Sequence, residues 1–219
     1  MGVSIHYRGR LNDIRQLPAL CEELTNIASA MGWETTSLDD EWEDPPNASL
    51  TVGPEAAEIT GNLGLKGVQF TPGPGAESLS FFFDREGNLR SPMTMILLLD
   101  GTLKPENAWI SVKTQFTSPE IHVWIVGLLK YLKKRYISSL EVLDEGEYWE
   151  TGDIRILKAK MDLINEKIDY ISSQLASGRL GDLTGLSAEE IVSRIEQMFD
   201  TDPSDAIQTD PDDPRDSGI

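Results

Sequence analysis

A strand–helix–strand pattern occurs twice in this chain at nearly the same spacing. The first unit runs from Val3 to Trp42 and the second from Ile110 to Trp149, so both span forty residues and end in an acidic loop closed by a tryptophan. The strands of two such units can pair in one sheet, with both helices on one face. The pattern therefore predicts an α+β fold: a curved, mostly antiparallel sheet with two helices on one face.

Hydrophobic periodicity supports both units. Apolar and polar residues alternate over 3–10 and over 109–116, as in strands with one buried face. Apolar residues between 17 and 31 recur every three or four positions, as on a helix. Ser118 and Pro119 fit the N-cap and first turn of a second helix. The inward-facing residues predicted for the second strand are Ile110, Val112, Thr114 and Phe116.

The two units share a layout more than a sequence. Aligned position by position, they are identical at four of forty positions, namely Ser4/Ser111, Ile14/Ile121, Glu34/Glu141 and Trp42/Trp149. This level is close to chance. Architectural pseudo-symmetry is therefore the favoured interpretation of the internal repeat, and a true duplication is the alternative.

The segment between the units predicts further strands. The runs at 65–70 (LKGVQF) and 78–83 (SLSFFF) flank a turn-rich segment and are predicted strands, and 84–88 (DREGN) is typical of a hairpin turn. The apolar run at 93–100 predicts a central strand covered on both faces, or part of a bend. The acidic stretch at 39–64, rich in proline, glycine and asparagine, predicts a long irregular connection.

The C-terminal third has a different character. We expect an α+β body over 1–152, a helical hairpin over 153–199 and a disordered acidic tail over 200–219. Ser187 and Glu190 form a capping box at the start of the last helix. The long helix could pack on its own body, on the last helix, or on a second copy of the chain. Its apolar positions keep a spacing of three and four over three heptads: Ile154, Leu157, Met161, Ile164, Ile168, Ile171 and Leu175.

The charge balance limits the classes of partner. There are 19 basic and 37 acidic residues, a net charge of −18, of which −6 lies in residues 200–219. A field of that sign repels phosphate backbones, so we expect no nucleic-acid partner. It suits solubility or a basic protein partner. No apolar run is long enough for a membrane span, and the single cysteine, Cys21, excludes an intramolecular disulfide. We therefore expect a cytoplasmic protein without a membrane partner.

The acidic loops are the clusters worth testing as a site. Hard cations need several oxygen ligands in one cage, which carboxylate-rich turns can supply. The metal candidates in the second loop are Asp144, Glu145, Glu147 and Glu150. Neither loop has the spacing of a calcium-binding hand, so solvated turn charge is the competing interpretation, and no cofactor is predicted.

Two tryptophans beside these loops are candidates for contact with a protein partner. Trp42 closes the first loop and Trp149 the second, whereas the other three tryptophans fall where core packing explains them. Asp39 and Asp40 of the first loop complete the predicted contact set, which would suit a basic partner.

Sequence motifs for catalysis are absent. The chain has two histidines, His6 on a strand and His122 in the first turn of a helix, and it lacks a nucleophile motif such as G-x-S-x-G. A zinc site would have to recruit both histidines without an H-x-x-x-H spacing. No catalytic residue is therefore predicted.

Two stretches carry a family resemblance, SVKTQFTSPEIH at 111–122 and LDEGEYWETGD at 143–153. They resemble motifs of a bacterial family of uncharacterised proteins, labelled a domain of unknown function, over the body to about residue 153. The resemblance implies no activity and no catalytic residue. In layout alone, the expected sheet and its two helices are similar to TATA-binding-protein-like folds.

The sequence favours a non-catalytic protein–protein interaction protein, of the inhibitor or immunity-like kind, with a basic partner. A metal-dependent hydrolase or phosphate-transfer enzyme using the acidic loops is the alternative. A homodimer through the helix at 154–175 is a further hypothesis.

Overall fold

The computed structural model describes residues 2–53 and 56–177, together with positions 187, 189, 190 and 193. The chain divides into two compact units, Met1–Ile164 and Asn165–Ile219. The boundary between the two units lies inside the long helix, whose first turns pack on the body.

The described residues form nine strands and five α-helices. The strands are β1 (Ser4–Arg8), β2 (Thr35–Asp39), β3 (Ser49–Val52), β4 (Ala57–Thr60), β5 (Lys66–Phe70), β6 (Leu79–Phe83), β7 (Leu89–Arg90), β8 (Ile110–Lys113) and β9 (Glu141–Asp144). The helices are α1 (Leu17–Ala30), α2 (Pro92–Leu99), α3 (Pro119–Arg135), α4 (Tyr148–Thr151) and α5 (Ile154–Ala176). Short 3-10 turns occupy Ile14–Gln16 and Pro105–Asn107.

The predicted α+β class is confirmed, with open antiparallel sheets. The strands form three sheets, however, and not the single sheet that we expected. Sheet 1 has the order β8-β1-β9, sheet 2 the order β2-β5-β6-β7, and sheet 3 is the hairpin β3-β4. All the strand pairs in these sheets are antiparallel.

The two strand–helix–strand units place their strands differently among the sheets. In the second unit, β8 and β9 both join sheet 1, on either side of β1. In the first unit, β1 joins sheet 1 whereas β2 pairs with β5 in sheet 2. The predicted pseudo-symmetry is therefore incomplete, because strand pairing is decided by distant partners and not by the local pattern that the units share.

The main core lies between the two larger sheets and two helices. Ile5 and Tyr7 of β1 stand opposite Val112 and Ile110 of β8, so these four apolar side chains share one face of sheet 1. They are buried in one cluster with the apolar stripes of α1 and α3 and with one face of sheet 2. Both predicted helices therefore cover the same core.

A tyrosine hydroxyl links sheet 1 to sheet 2. Tyr7 is fully buried, and its hydroxyl donates a hydrogen bond to the Ser80 carbonyl at 2.9 Å and accepts one from the Ser80 N–H at 3.1 Å. Burial raises the pKa of this phenol well above its ordinary value. The hydroxyl thus satisfies both backbone groups of a buried strand residue.

Replacing Tyr7 by phenylalanine is expected to lower the free energy of unfolding by about 1–3 kcal/mol, because the Ser80 N–H and C=O would lose a buried partner. Urea denaturation measures the change. Tyr148→Phe in α4, at a half-buried position, is the matched control and should change stability by less than about 0.5 kcal/mol. Equal effects of the two substitutions would contradict the linking role of Tyr7.

The run at 93–100, predicted as a central strand or part of a bend, forms the helix α2, so the strand prediction was wrong. Ser91 is the N-cap, Pro92 lies in the first turn, and the side chain of Thr94 completes a capping box. Short apolar runs do not distinguish a buried strand from a buried helix by periodicity. Met95 and Ile96 of α2 pack in a second cluster with Phe82 of β6, so α2 covers the other face of sheet 2.

The connection at 39–64 is also more regular than expected. It contains β3 and β4, which pair from Ser49 opposite Thr60 to Val52 opposite Ala57. Each strand has four residues, too few for alternation to stand out against the surrounding polar sequence. Leu50 and Ile59 pack against the second cluster beside α2.

The strand β8 ends earlier than predicted. It stops at Lys113, and Phe116 lies in the following turn with 59% of its surface exposed, so its predicted inward position was wrong. Helix α3 begins as predicted, with Ser118 at the N-cap and Pro119 in the first turn. Its buried residues include His122, which lies beside the apolar stripe.

The long helix α5 starts against the body. Leu157 and Met161 are buried with Val3 in a third cluster, which uses the first part of the predicted seam within the chain itself. Further along α5, Ile168 is exposed. The predicted capping box is present, with reciprocal hydrogen bonds between Ser187 and Glu190.

The rest of the predicted last helix, and the predicted tail at 200–219, lie outside the described residues. Within the part that is described, none of the helices is long and apolar enough to cross a membrane.

Candidate functional site

The first acidic loop is fixed to the start of β5. Asp39 ends β2 opposite Lys66, and its carboxylate accepts from Nζ of that lysine at 2.7 Å. The Asp40 N–H donates to the Leu65 carbonyl at 3.1 Å, and Oδ2 of Asp40 accepts from the Leu65 N–H at 3.2 Å. The loop therefore leaves sheet 2 in a defined direction.

Trp42 is half-buried within this loop. Its Nε1–H donates to the Gly64 carbonyl at 2.9 Å, and Nζ of Lys66 lies 5.3 Å from the ring centroid. The backbone of Glu41 is held in turn by the side-chain amide of Asn62, at 2.9 Å. The predicted contact residues Asp39, Asp40 and Trp42 thus lie on one ordered segment.

Three adjoining hollows surround the segment that follows. The first is acidic, the second lies beside Trp42 and the third lies beside β3. Each pair of hollows shares a lining residue: Asp44 lines the first and second, Pro46 the second and third, and Asn47 the first and third. We call residues 39–47 and these hollows the acidic loop surface. This surface combines an acidic lining with apolar linings.

The first hollow is acidic. It has a volume of about 380 Å³ and opens widely to solvent. Besides backbone at Gly61, its lining consists of side chains that accept hydrogen bonds: Asp39, Asp40, Glu41, Asp44, Asn47 and Asn62. Such a lining can bind the ammonium or guanidinium group of a basic side chain.

The second and third hollows are mainly apolar and lie against α2. The second, of about 430 Å³, has an apolar part and a charged part. The apolar part is lined by Trp42, Pro45, Pro46, Met95, Leu98, Leu103 and Pro105, and the charged part by Asp44, Asp84, Arg85, Glu86 and Arg90. The third, of about 550 Å³, lies beside β3 and is lined by Leu50, Met93, Ile96, Leu97 and Leu99. Met93 and Leu99 are exposed. Apolar side chains of a partner would fit here.

The second hollow also holds an internal ion pair that sequence analysis missed. Nε of Arg90 lies 3.3 Å from Oδ2 of Asp84, and both side chains are largely buried. Asp84 additionally accepts from the N–H and the amide group of Asn88 in the predicted hairpin turn. The motif DREGN indicated the turn, but not that its first residue would pair with Arg90.

The second acidic loop is built differently, around a buried carboxylate. Asp144 stands opposite Ile5 in sheet 1 and therefore faces the core side. Oδ1 accepts from the Gly146 N–H at 2.7 Å and Oδ2 from the Trp149 N–H at 2.8 Å. Nε2 of the fully buried His122 lies 3.1 Å from Oδ1. This carboxylate closes the loop onto α3.

The electrostatics of Asp144 follow from these contacts. Burial on its own would raise the pKa of the carboxyl, but the contact with His122 and the two backbone N–H groups outweigh it and hold the pKa below its ordinary value. The Nε2–Oδ1 contact is poorly aligned for a hydrogen bond, so we regard it as chiefly electrostatic.

Thr114 completes a row of three polar side chains. Its hydroxyl lies 2.8 Å from Nδ1 of His122 and donates to the Val3 carbonyl at 3.1 Å. A hydroxyl, an imidazole and a carboxylate in line resemble a nucleophilic triad. All three residues are buried, however, so the hydroxyl is not open to a substrate in this structure.

The remaining metal candidates of the second loop point to separate partners. Glu145 accepts from the Ser4 N–H at 2.8 Å and lies 3.7 Å from Nε2 of His6. Glu147 pairs with Lys160 at 2.7 Å, and Glu150 is exposed in α4. Among the described residues, no group of three or more histidine, cysteine, aspartate or glutamate side chains could hold a metal ion.

Trp149, the other predicted contact residue, is half-buried beneath two lysines. Nζ of Lys130 and of Lys133 lie 5.4 and 5.7 Å from its ring centroid. The first acidic loop follows β2 of sheet 2, whereas the second follows β9 of sheet 1. The first loop, with its adjoining hollows, is the better candidate site.

The comparisons with known proteins leave the family resemblance as a prediction. No family model matches the chain, and neither a curated protein nor a solved structure was found to be similar to it.

Proposed function

We propose that this protein is a non-catalytic protein–protein interaction protein of the cytoplasm, inhibitor- or immunity-like, that binds a basic partner through the acidic loop surface. One observation carries the proposal: an acidic hollow and two apolar hollows adjoin around the same ordered loop. A partner that offers a basic side chain beside apolar side chains would match all three.

The charge of the chain supports the choice of partner. The net charge is −18, and Lys66, the basic residue beside Asp39, is already paired with it. A negative field speeds the approach of a basic protein, whereas apolar anchors supply most of the binding energy. Trp42 and Met95 line the hollow next to the carboxylates, as such anchoring requires.

The enzyme alternative finds less support in the geometry. A metal-dependent hydrolase or phosphate-transfer enzyme would use the carboxylates of the acidic loops as ligands. Asp144, Glu145 and Glu147 each already bind protein groups, and Asp144 is buried. We therefore keep protein binding as the proposal.

The packing of α5 within the chain limits which of its residues could contact a second copy. Leu157 and Met161 pack on Val3, so these seam positions are not available to a second copy. Any dimer through the helix at 154–175 would have to use the later seam residues Ile168 and Ile171.

Charge removal at the acidic loop tests the proposal. The triple variant Asp39→Asn, Asp40→Asn, Asp44→Asn should lose proteins from a host lysate that wild-type protein retains at low salt, because attraction to the basic group disappears. Retention is compared by quantitative mass spectrometry at low and high salt.

The control variant changes charge equally on the exposed face of α5, with Asp162→Asn, Glu166→Gln and Asp169→Asn. It should retain the same proteins as wild type. If both variants lose them equally, net charge alone is responsible; if neither loses them, or if salt has no effect, the proposed surface is wrong.

A further inference from the structure

We propose that the basic partner binds as an additional β-strand along the outer edge of β2. This inference rests on the proposed function and specifies the form of the partner: an extended segment with lysine or arginine at alternate positions. β2 leads directly into the acidic loop surface, since Asp39 ends the strand and also lines the acidic hollow. Strand addition and side-chain recognition would therefore act on one continuous segment.

The hydrogen bonding of β2 shows which backbone groups are turned outward. The Asp40 N–H donates to the Leu65 carbonyl, so residue 40 directs its backbone toward β5. Backbone direction alternates along an antiparallel strand, so Thr36 and Leu38 also face β5. Thr35, Ser37 and Asp39 then direct their N–H and C=O groups away from the sheet. β2 has no neighbour on that side among the described strands.

This edge strand contains neither proline nor lysine, and its one charged residue is Asp39. Sheet edges are commonly blocked by proline, by lysine or by a covering side chain. β2 reads TTSLD, and all of its residues except Leu38 are exposed. The edge of β8 provides a contrast, because the outward N–H of Lys113 is bound by the Glu77 carboxylate at 2.7 Å. Among the described edge strands, β2 is the longest.

The acidic residues around β2 favour a basic partner segment over a second copy of the chain. Glu34 precedes β2, and Asp39 and Asp40 follow at its end. A second copy of the same edge, paired antiparallel about Ser37, would set Glu34 opposite Asp40 at both ends, and like charges in direct opposition are unfavourable. A basic strand would meet carboxylates at both ends instead, so we assign the edge to a basic partner segment.

A defined peptide tests the inference. The probe is a synthetic peptide that alternates lysine and valine, and its control alternates glutamate and valine. We expect the lysine peptide to bind the full chain at low salt and to slow amide hydrogen exchange at Thr35, Ser37 and Asp39, measured by NMR. The amides of Thr36 and Leu38, already bonded to β5, should change little. Binding is measured by fluorescence anisotropy.

Ser37→Pro is the edge-specific variant, because it removes an outward N–H and leaves the bonds to β5 in place. It should weaken lysine-peptide binding by about tenfold or more, whereas the control Ser37→Ala should bind like wild type. A thermal melt of each variant establishes that it is folded. If Ser37→Pro does not fold, the amide hydrogen exchange of wild-type protein with the lysine peptide tests strand addition by itself.

The outcomes separate this inference from the proposed function. If the lysine peptide does not bind, if the glutamate peptide binds equally well, or if the three outward amides gain no protection, strand addition is wrong. The acidic loop surface is tested independently, through the aspartate variants, and could still bind a basic protein by its side chains alone.

Discussion

Replacing Gly67 by alanine is expected to lower the free energy of unfolding by about 3–5 kcal/mol, enough to unfold a marginally stable domain. Gly67 lies in β5 between β2 and β6, and its φ is +148°. A Cβ there would stand 2.1 Å from the Phe81 carbonyl oxygen and 2.9 Å from the Phe82 Cα. Both atoms belong to the backbone of β6, so relief would require breaking the pairing of sheet 2.

Two other glycines supply matched controls for this substitution. Gly101 has a φ of +78° with no atom within 4 Å of the added Cβ, so Gly101→Ala should show strain alone, about 1 kcal/mol. Gly127 lies exposed in α3 with open space around it, and Gly127→Ala should stabilise the chain by about 0.5–1 kcal/mol. Urea denaturation of the three variants measures the series. Similar losses for Gly67 and Gly101 would exclude the backbone clash.

Local patterns predicted the elements of the fold better than their pairing. Helices α1 and α3, the strand β1 and the hairpin turn at 84–88 follow from periodicity, capping residues and turn chemistry, which are properties of short segments. The assignment of β2 to a different sheet from β1 depends on contact with β5, about thirty residues later, and leaves no mark in the repeated pattern.

The apolar run in α2 shows a second limit of predicting secondary structure from the sequence. An eight-residue helix that is apolar all round has the same composition as a strand covered on both faces. The signal that distinguishes them is local: Ser91 followed by Pro92 and Thr94 is a helix N-terminus. This capping pattern was present in the sequence and outweighs the apolar run as an indicator.

The candidate site was predicted in part. Asp39, Asp40 and Trp42 were predicted as contact residues because the tryptophan closes an acidic loop, and they lie together on the acidic loop surface. The apolar lining from α2 could not be predicted because it depends on α2 covering sheet 2. The pair Arg90–Asp84 joins the two sides of the hairpin turn between β6 and β7, and the turn motif alone does not show that these side chains meet. Similarly, Asp144 was read as a solvated or metal-binding carboxylate, although register places it opposite buried Ile5.

Replacing Asp144 by alanine is expected to lower the free energy of unfolding by about 3–5 kcal/mol, because two backbone N–H groups would lose a carboxylate acceptor at about 1–3 kcal/mol each. The Gly146 and Trp149 N–H groups would both lose their acceptor, and Nε2 of His122 would lose the carboxylate that lies 3.1 Å away. Asp144→Asn keeps the shape and one acceptor oxygen, so it should cost less, about 2 kcal/mol. Urea denaturation at pH 7 measures both. A loss below about 1 kcal/mol for the alanine variant would contradict the role of this carboxylate in closing the loop.

The pH dependence of the stability difference between wild type and Asp144→Asn tests whether the charge of the Asp144 carboxylate is responsible for it. The pKa of Asp144 is lowered in the folded chain, so its carboxylate stabilises the fold above the unfolded pKa, near 4, and this contribution disappears as the pH falls through the lower folded value. Asp144→Asn cannot titrate at this position. The stability gap between wild type and Asp144→Asn should therefore be full at pH 6 and shrink steadily below about pH 4. A gap that stays constant down to acid unfolding would mean that Asp144 acts through packing alone, because only a charged carboxylate bound more tightly in the fold gives this slope.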